Sequence, residues 1–109
     1  MSGTQNNGQG HHHVVVFRWK PNVDEAAVRR LDEALRTLVS TLPGLISFQC
    51  GPDLRMREGN GDFAVAATFD SAETLQNYLA HPQHQQIVAE HAATMIAEKH
   101  GVQFLGTGA

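Results

Sequence analysis

Apolar positions recur with two different periods along this chain. Over residues 13–20, strict alternation places His13, Val15, Phe17 and Trp19 on one face of a strand and Val14, Val16, Arg18 and Lys20 on the other. The first half of that strand is apolar on both faces, which predicts a sheet covered on both sides. The period then lengthens. Val28, Leu31, Leu35, Leu38 and Leu42 repeat at helical spacing, while Arg29, Arg30, Asp32, Glu33 and Arg36 fall mostly on the opposite, solvated side. Asn22 with Glu25 three residues later has the form of a capping box. Pro43 and Gly44 stop the helix near Leu42.

Alternation returns at 45–50 and 63–69. In the first stretch Ile46, Phe48 and Cys50 share a face; in the second, Phe63, Val65, Ala67 and Phe69 do. The reverse face of the second, Ala64, Ala66 and Thr68, is small enough to let another sheet approach. Between them, 51–62 reads as a long hairpin loop with a turn at Asn60-Gly61 and room to act as a flap. Its glycines lack the lysine and helix start of a phosphate-binding loop. Asp70 or Ser71 then caps a helix with Leu75, Tyr78 and Leu79 inward, ending near His81. Pro82 opens a third helix, predicted to reach about Lys99, with His84, Val88, His91 and Met95 along one stripe. A short strand over 100–105 closes the pattern.

The order β-α-β-β-α-α-β predicts an α+β, ferredoxin-like subunit, a four-stranded antiparallel sheet with helices on one face. One helical layer covers only one side of such a sheet. The two-sided burial of the first strand therefore predicts a homodimer in which sheet packs on sheet.

Composition narrows the remaining classes. The 109 residues fit one domain over 11–106, preceded by a Gly/Asn/Gln-rich tail over 1–10 read as disordered and followed by a frayed end over 107–109. A net charge of −3 with no basic stripe argues against nucleic acid as a partner. No apolar run approaches the ~20 residues of a membrane span, and the N-terminus lacks a charged n-region and an apolar h-region. The cytoplasm is the expected location, with no membrane partner. The single cysteine, Cys50, excludes an intrachain disulfide and reads as a small core residue.

Seven histidines in so short a chain carry the chemical interest. His11 to His13 run directly into the first strand, so His13 at least reads as native, while His11 and His12 fit either a native strand or a tag remnant. The stretch 78–84, Tyr-Leu-Ala-His-Pro-Gln-His, places a phenol at the end of one helix and an imidazole on the first turn of the next, with Pro82 breaking the helix between them. Tyr78 and His84 can converge across that bend, where a donor phenol beside a proton-accepting imidazole forms an acid–base pair. The competing reading is structural: a proline at the first helical position and a capping histidine make an ordinary helix start. His81, His84 and His91 have a His-x2-His-x6-His spacing, but no acidic or thiolate partner joins them, so no metal and no cofactor are assigned.

Together, His13 leading into 14–20, Leu42-Pro43-Gly44, 69–73 and Tyr78 followed by His81-Pro82-Gln83-His84 resemble the stress-responsive α/β-barrel domain family of the dimeric α+β barrel superfamily. The resemblance spans about residues 13–105. It implies a homodimer whose two sheets close into a barrel, and a cavity between sheet and helices in each subunit. One polyketide cyclase of the family performs an intramolecular aldol condensation with the tyrosine and the last histidine of this motif, which are Tyr78 and His84 here. Its strand-opening pocket histidine matches His13. Another of its pocket histidines is replaced here by Phe63.

Two functions follow. In the first, the protein is a cofactor-free cyclase or related lyase-like enzyme acting on a polyketide-like ketone. His84 removes a proton next to a carbonyl, Tyr78 donates to the developing enolate oxygen, and His13, Val15, Phe17, Phe63, Val88, His91 and Met95 contact the small apolar or ketone-bearing substrate. In the second, it is a non-catalytic stress-responsive or ligand-binding protein in which Tyr78 and His84 bond to each other or to backbone and lock the helix bend.

Overall fold

The computed structural model describes residues 10–106. Residues 1–9 of the tail predicted over 1–10, and the end over 107–109, lie outside them. The elements are β1 (Gly10–Trp19), α1 (Glu25–Val39), β2 (Leu45–Pro52), β3 (Phe63–Phe69), α2 (Ala72–Ala80), α3 (Pro82–Ile87), a π-helical turn (Val88–Ala92) and β4 (Ile96–Gly106). The four strands form one antiparallel sheet in the order β2-β3-β1-β4. This is the ferredoxin-like arrangement that the sequence predicts.

Burial follows the alternation. Val15 and Phe17 of β1 and Phe63, Val65, Ala67 and Phe69 of β3 are buried beneath Leu31, Leu35, Leu38 and Val39 of α1, with Leu75 and Tyr78 of α2 beside them. Full burial of a large apolar side chain contributes roughly 1.5–3 kcal/mol, so these strands hold the helices through one face alone. On the reverse face, Ala64 and Ala66 are exposed, and so are Val102 and Phe104 of β4, which pair with Val14 and His12 of β1. Val14 and Val16 are half-buried there. An apolar sheet face is thus left without a layer over it.

Several boundaries differ from expectation, each for a local reason. Asp24, not Asn22, caps α1, its carboxylate accepting from the Ala27 N–H at 2.8 Å. Asn22 instead takes a left-handed conformation in the turn after β1, with φ of 70°. Helix α1 ends at Val39 rather than near Leu42. Ser71 caps α2 as predicted, accepting from Thr74 N–H at 3.1 Å. In β2 a bulge between Leu45 and Ser47 turns Ile46 outward, where it is 56% exposed, whereas Leu45 packs on the core. β1 begins at Gly10 and includes all three histidines of 11–13, so the paired strand reaches into the segment predicted to be a tail.

The largest difference concerns the third helix. It does not reach Lys99. After α3 the backbone widens to an i→i+5 bond, Ala93 N–H to Val88 carbonyl at 2.7 Å, turns through 93–95, and enters β4 at Ile96. Residues 96–99 are therefore strand.

Candidate functional site

The bend at Pro82 brings the sequence-predicted pair together. Tyr78 lies on the last turn of α2. His81 follows with extended backbone and uses its own Nδ1 to accept from Gln83 N–H at 3.0 Å, capping α3. His84 then falls on the first turn of α3, and its ring centroid lies 4.4 Å from that of Tyr78. Tyr78 is 2% exposed and packs between Phe69, at 5.4 Å, and the edge of His13, at 5.9 Å. One phenol thus touches both imidazoles.

His13 and His84 form part of the wall of a cavity of about 260 Å³ between the sheet and α3. Val15 and Phe17 of β1 and Leu79, Val88, Ala92 and Ile96 supply its apolar surface, while Gln103 and Lys99 of β4 add polar groups. The cavity is small and mostly apolar with a few convergent polar groups, the usual character of a small-molecule site. Larger hollows, of about 380 and 520 Å³, lie under the 53–62 loop and beside the start of α1. They contain neither Tyr78 nor any histidine. That loop is also fastened away from the 260 Å³ cavity. Asp62 accepts from Trp19 N–H at 2.7 Å and pairs with Arg55 at 2.8 Å, and no residue of 53–62 lines the cavity.

The electrostatics suit proton transfer. His13 Nδ1 lies 2.9 Å from the Gln103 amide nitrogen. An amide nitrogen only donates, so Nδ1 accepts and the neutral ring carries its proton on Nε2. Burial lowers the His13 pKa below its ordinary value, helped by the charges of His84 and Lys99. Burial likewise lowers that of His84; the Leu79 backbone opposes this, and Lys99 and His81 reinforce it. The Leu79 backbone completes no hydrogen bond to the buried Nδ1 of His84, which has no partner among the described residues. Near neutral pH both rings are uncharged. Burial pushes the Tyr78 phenol well above its usual range, so it stays protonated as a donor. Cys50 is set apart from this chemistry: burial and the neighbouring Asp32 push its thiol up to about 11.

Of the residues expected to contact a ligand, His13, Val15, Phe17, Val88 and His84 line the cavity. Tyr78 stands behind the two imidazoles rather than in the wall. Phe63 is 1% exposed and belongs to the core, stacked on Phe17 at 6.3 Å. Met95 is buried, and its carbonyl holds Lys20 N–H at 2.7 Å. His91 is displaced by the π-helical turn. The extra residue shifts the stripe by one position, and Ala92, 2% exposed, takes the inward place. Among the described residues no three His, Cys, Asp or Glu side chains cluster as a metal site. A helical reading of 96–99 hides Ile96 and Lys99, and Gln103, within the predicted strand 100–105, is hidden because the strand's partner is not local. The signal that identifies them is the pairing of β4 with β1, which sets Lys99 opposite Phe17 and Gln103 opposite His13.

Comparison with known proteins places the chain. An uncharacterised protein of Streptomyces coelicolor is 35% identical over 91 residues, which cover 79% of this chain and 94% of that protein. Olivetolic acid cyclase of Cannabis sativa is 28% identical over 74 residues, covering 66% of this chain and 73% of the cyclase. Among solved structures, a dimeric ferredoxin-like protein of unknown function from Thermobifida fusca YX superposes with a TM-score of 0.80 at 36% identity, covering 89% of this chain and 91% of that one. No helix among the described residues is long and apolar enough to cross a membrane. The family model of the stress-responsive A/B barrel domain matches residues 12–101, and the chain belongs to that family.

Proposed function

We propose that this protein is a cofactor-independent enzyme that removes a proton next to a carbonyl, and that its reaction is the cyclisation, or a related carbon–carbon bond rearrangement, of a small polyketide-like ketone. The observation that carries this reading is the state of His84. Its ring forms part of a mostly apolar cavity wall, is held neutral, and makes no side-chain hydrogen bond to another described residue. A histidine serving only to lock the bend at Pro82 would be bonded to Tyr78 or to backbone. Here its contact with Tyr78 is ring against ring, and the neighbouring Leu79 backbone completes no hydrogen bond to the buried Nδ1. The relationship to olivetolic acid cyclase supports the same chemistry.

In this reading His84 acts through Nε2, since Nδ1 is buried. It takes the α-proton, and the electron pair of the C–H bond moves onto the carbonyl oxygen as an enolate. Tyr78, which stands behind the imidazoles in the free protein, donates to that oxygen once the substrate carbonyl enters between the two rings. The enolate carbon then attacks a second carbonyl of the same chain, forming the new C–C bond, and the resulting alkoxide takes the proton back from the His84 imidazolium. His13, fixed by Gln103, orients the substrate. Positioning and one base suffice for such a step.

The working unit in this proposal is a homodimer built through the uncovered face of Val14, Val16, Ala64, Ala66, Val102 and Phe104, in the cytoplasm. The dimeric relative from Thermobifida fusca YX supports the pairing. The enzymatic reading is tested by incubating the protein with linear 3,5,7-trioxo thioesters, in which C2 can attack the C7 carbonyl to close a six-membered ring, and following ring formation by mass spectrometry. Cyclised product that is absent with His84→Ala supports the assignment. If His84→Ala unfolds the protein, and no wild-type turnover of any such chain is found, the residue is structural and the non-catalytic ligand-binding reading prevails.

A further inference from the structure

One wall of the cavity carries a charge to which the acid–base chemistry gives no role. Lys99 lies opposite Phe17 in the β1–β4 pairing, and directly opposed residues project to the same face of a sheet. Its side chain therefore leaves β4 on the helix-covered side, where it lines the cavity with His13, His84 and Gln103. Lys99 is an exposed residue, so the ammonium stands at the rim. No carboxylate is among the residues that line the cavity. The adjacent acid, Glu98, belongs to the opposite face, where Arg18 pairs with it at 2.7 Å. Lys99 forms no ion pair among the described residues.

The chamber therefore combines an apolar floor of Val15 and Phe17 with an uncompensated ammonium at its edge and neutral imidazoles between. Lys99 also acts on both imidazoles from where it stands, helping to keep each ring uncharged. An occupant that brings its own negative charge neutralises the ammonium and leaves the imidazoles free to accept a proton. A volume of about 260 Å³ sits below the range of drug-sized sites, which limits that occupant to a compact molecule.

We propose that the cavity takes a small ketone bearing a carboxylate, that Lys99 pairs with this carboxylate at the rim, and that this contact presents the carbon next to the ketone to His84. Lys99 is thus a specificity-determining residue for the reaction proposed above, and the inference rests on that reading of the site. An ammonium at a partly exposed position gives a modest preference rather than an absolute one.

The test compares 5-oxohexanoate with its methyl ester by nuclear magnetic resonance titration of the full chain at low salt and pH 7.5, where His84 is neutral. The acid is expected to bind roughly threefold to fivefold more tightly than the ester, a preference that shrinks as salt screens the pair. Lys99→Met keeps the aliphatic stem and is expected to abolish the preference. Lys99→Arg is expected to restore it, which a merely structural lysine would not require. Equal binding of acid and ester by the wild type overturns the proposal. So does a preference that survives in Lys99→Met or that does not change with salt, or failure of either compound to bind at millimolar concentration. Binding is read without turnover. A selective cavity in a chain that catalyses nothing sinks the enzymatic reading alone, and turnover without selectivity sinks this inference alone.

Discussion

Tyr78→Phe removes one oxygen atom and leaves the ring. The ring contacts with Phe69 at 5.4 Å, His84 at 4.4 Å and His13 at 5.9 Å are all available to phenylalanine. The hydroxyl makes no hydrogen bond to another described residue that would be lost, and Tyr78 is 2% exposed. The folded state should therefore change by no more than about 1 kcal/mol, the net value of one ordinary hydrogen bond. Catalysis should respond differently. A donor that acts on an oxygen only as its charge develops contributes about 2.7–4 kcal/mol, or 10²–10³ in kcat. KM should hardly move, because the ground-state carbonyl draws little from that donor. Urea denaturation gives the first quantity, and steady-state cyclisation kinetics give the other two. A kcat within about threefold of wild type would refute the donor role. A stability loss above ~2 kcal/mol with kcat and KM falling together would show that the hydroxyl is held by the fold instead.

Other consequences can be measured directly. Burial lowers the His84 pKa, so the base stays neutral below the ordinary histidine value and the acid limb of kcat should lie below pH 6.5. Lys99→Met removes one of the charges that lower it and should move that limb upward. The same sign governs stability: the unfolded chain protonates His13 and His84 before the folded chain does, so stability present above pH 6.5 should decline as pH falls, measurable by denaturation at pH 7.5 and 5.5. Replacing Val102 and Phe104 by aspartate should leave the fold intact and convert a sedimenting dimer to a monomer of 11.9 kDa, and a wild-type monomer at micromolar concentration would contradict the sheet-on-sheet dimer. Gly44 has φ of 81°, and a Cβ there would meet Thr74 Cγ2 at 2.5 Å. Gly44→Ala should therefore cost at least ~1–2 kcal/mol, read as a fall in Tm of several degrees.

The sheet was legible because alternation is a local property. Val15, Phe17, Phe63, Val65 and Phe69 each announce a buried face without reference to any other strand. The Tyr78–His84 pair was legible because Pro82 allows only one local outcome, a helix that stops and restarts. What stayed hidden depended on backbone irregularities and on pairing between distant segments. A bulge of one residue reversed Ile46, and a π-helical turn of one extra residue exchanged Ala92 for His91. Met95 and Ile96 satisfy a helical period as readily as the entry to a strand. Only the register between β1 and β4 places Lys99 and Gln103 at the cavity, across a separation in sequence that no local pattern spans.

The central chemical claim is that His84 removes a proton next to a carbonyl, and it can be tested without knowing the natural substrate. Protons flanking the ketone of 5-oxohexanoate exchange slowly in deuterated buffer and are followed by proton resonance. The wild-type protein should accelerate that exchange above the buffer rate, and His84→Ala should return it to the buffer rate. Exchange no faster than buffer with the wild type, or equally fast with His84→Ala, would contradict a base at this position.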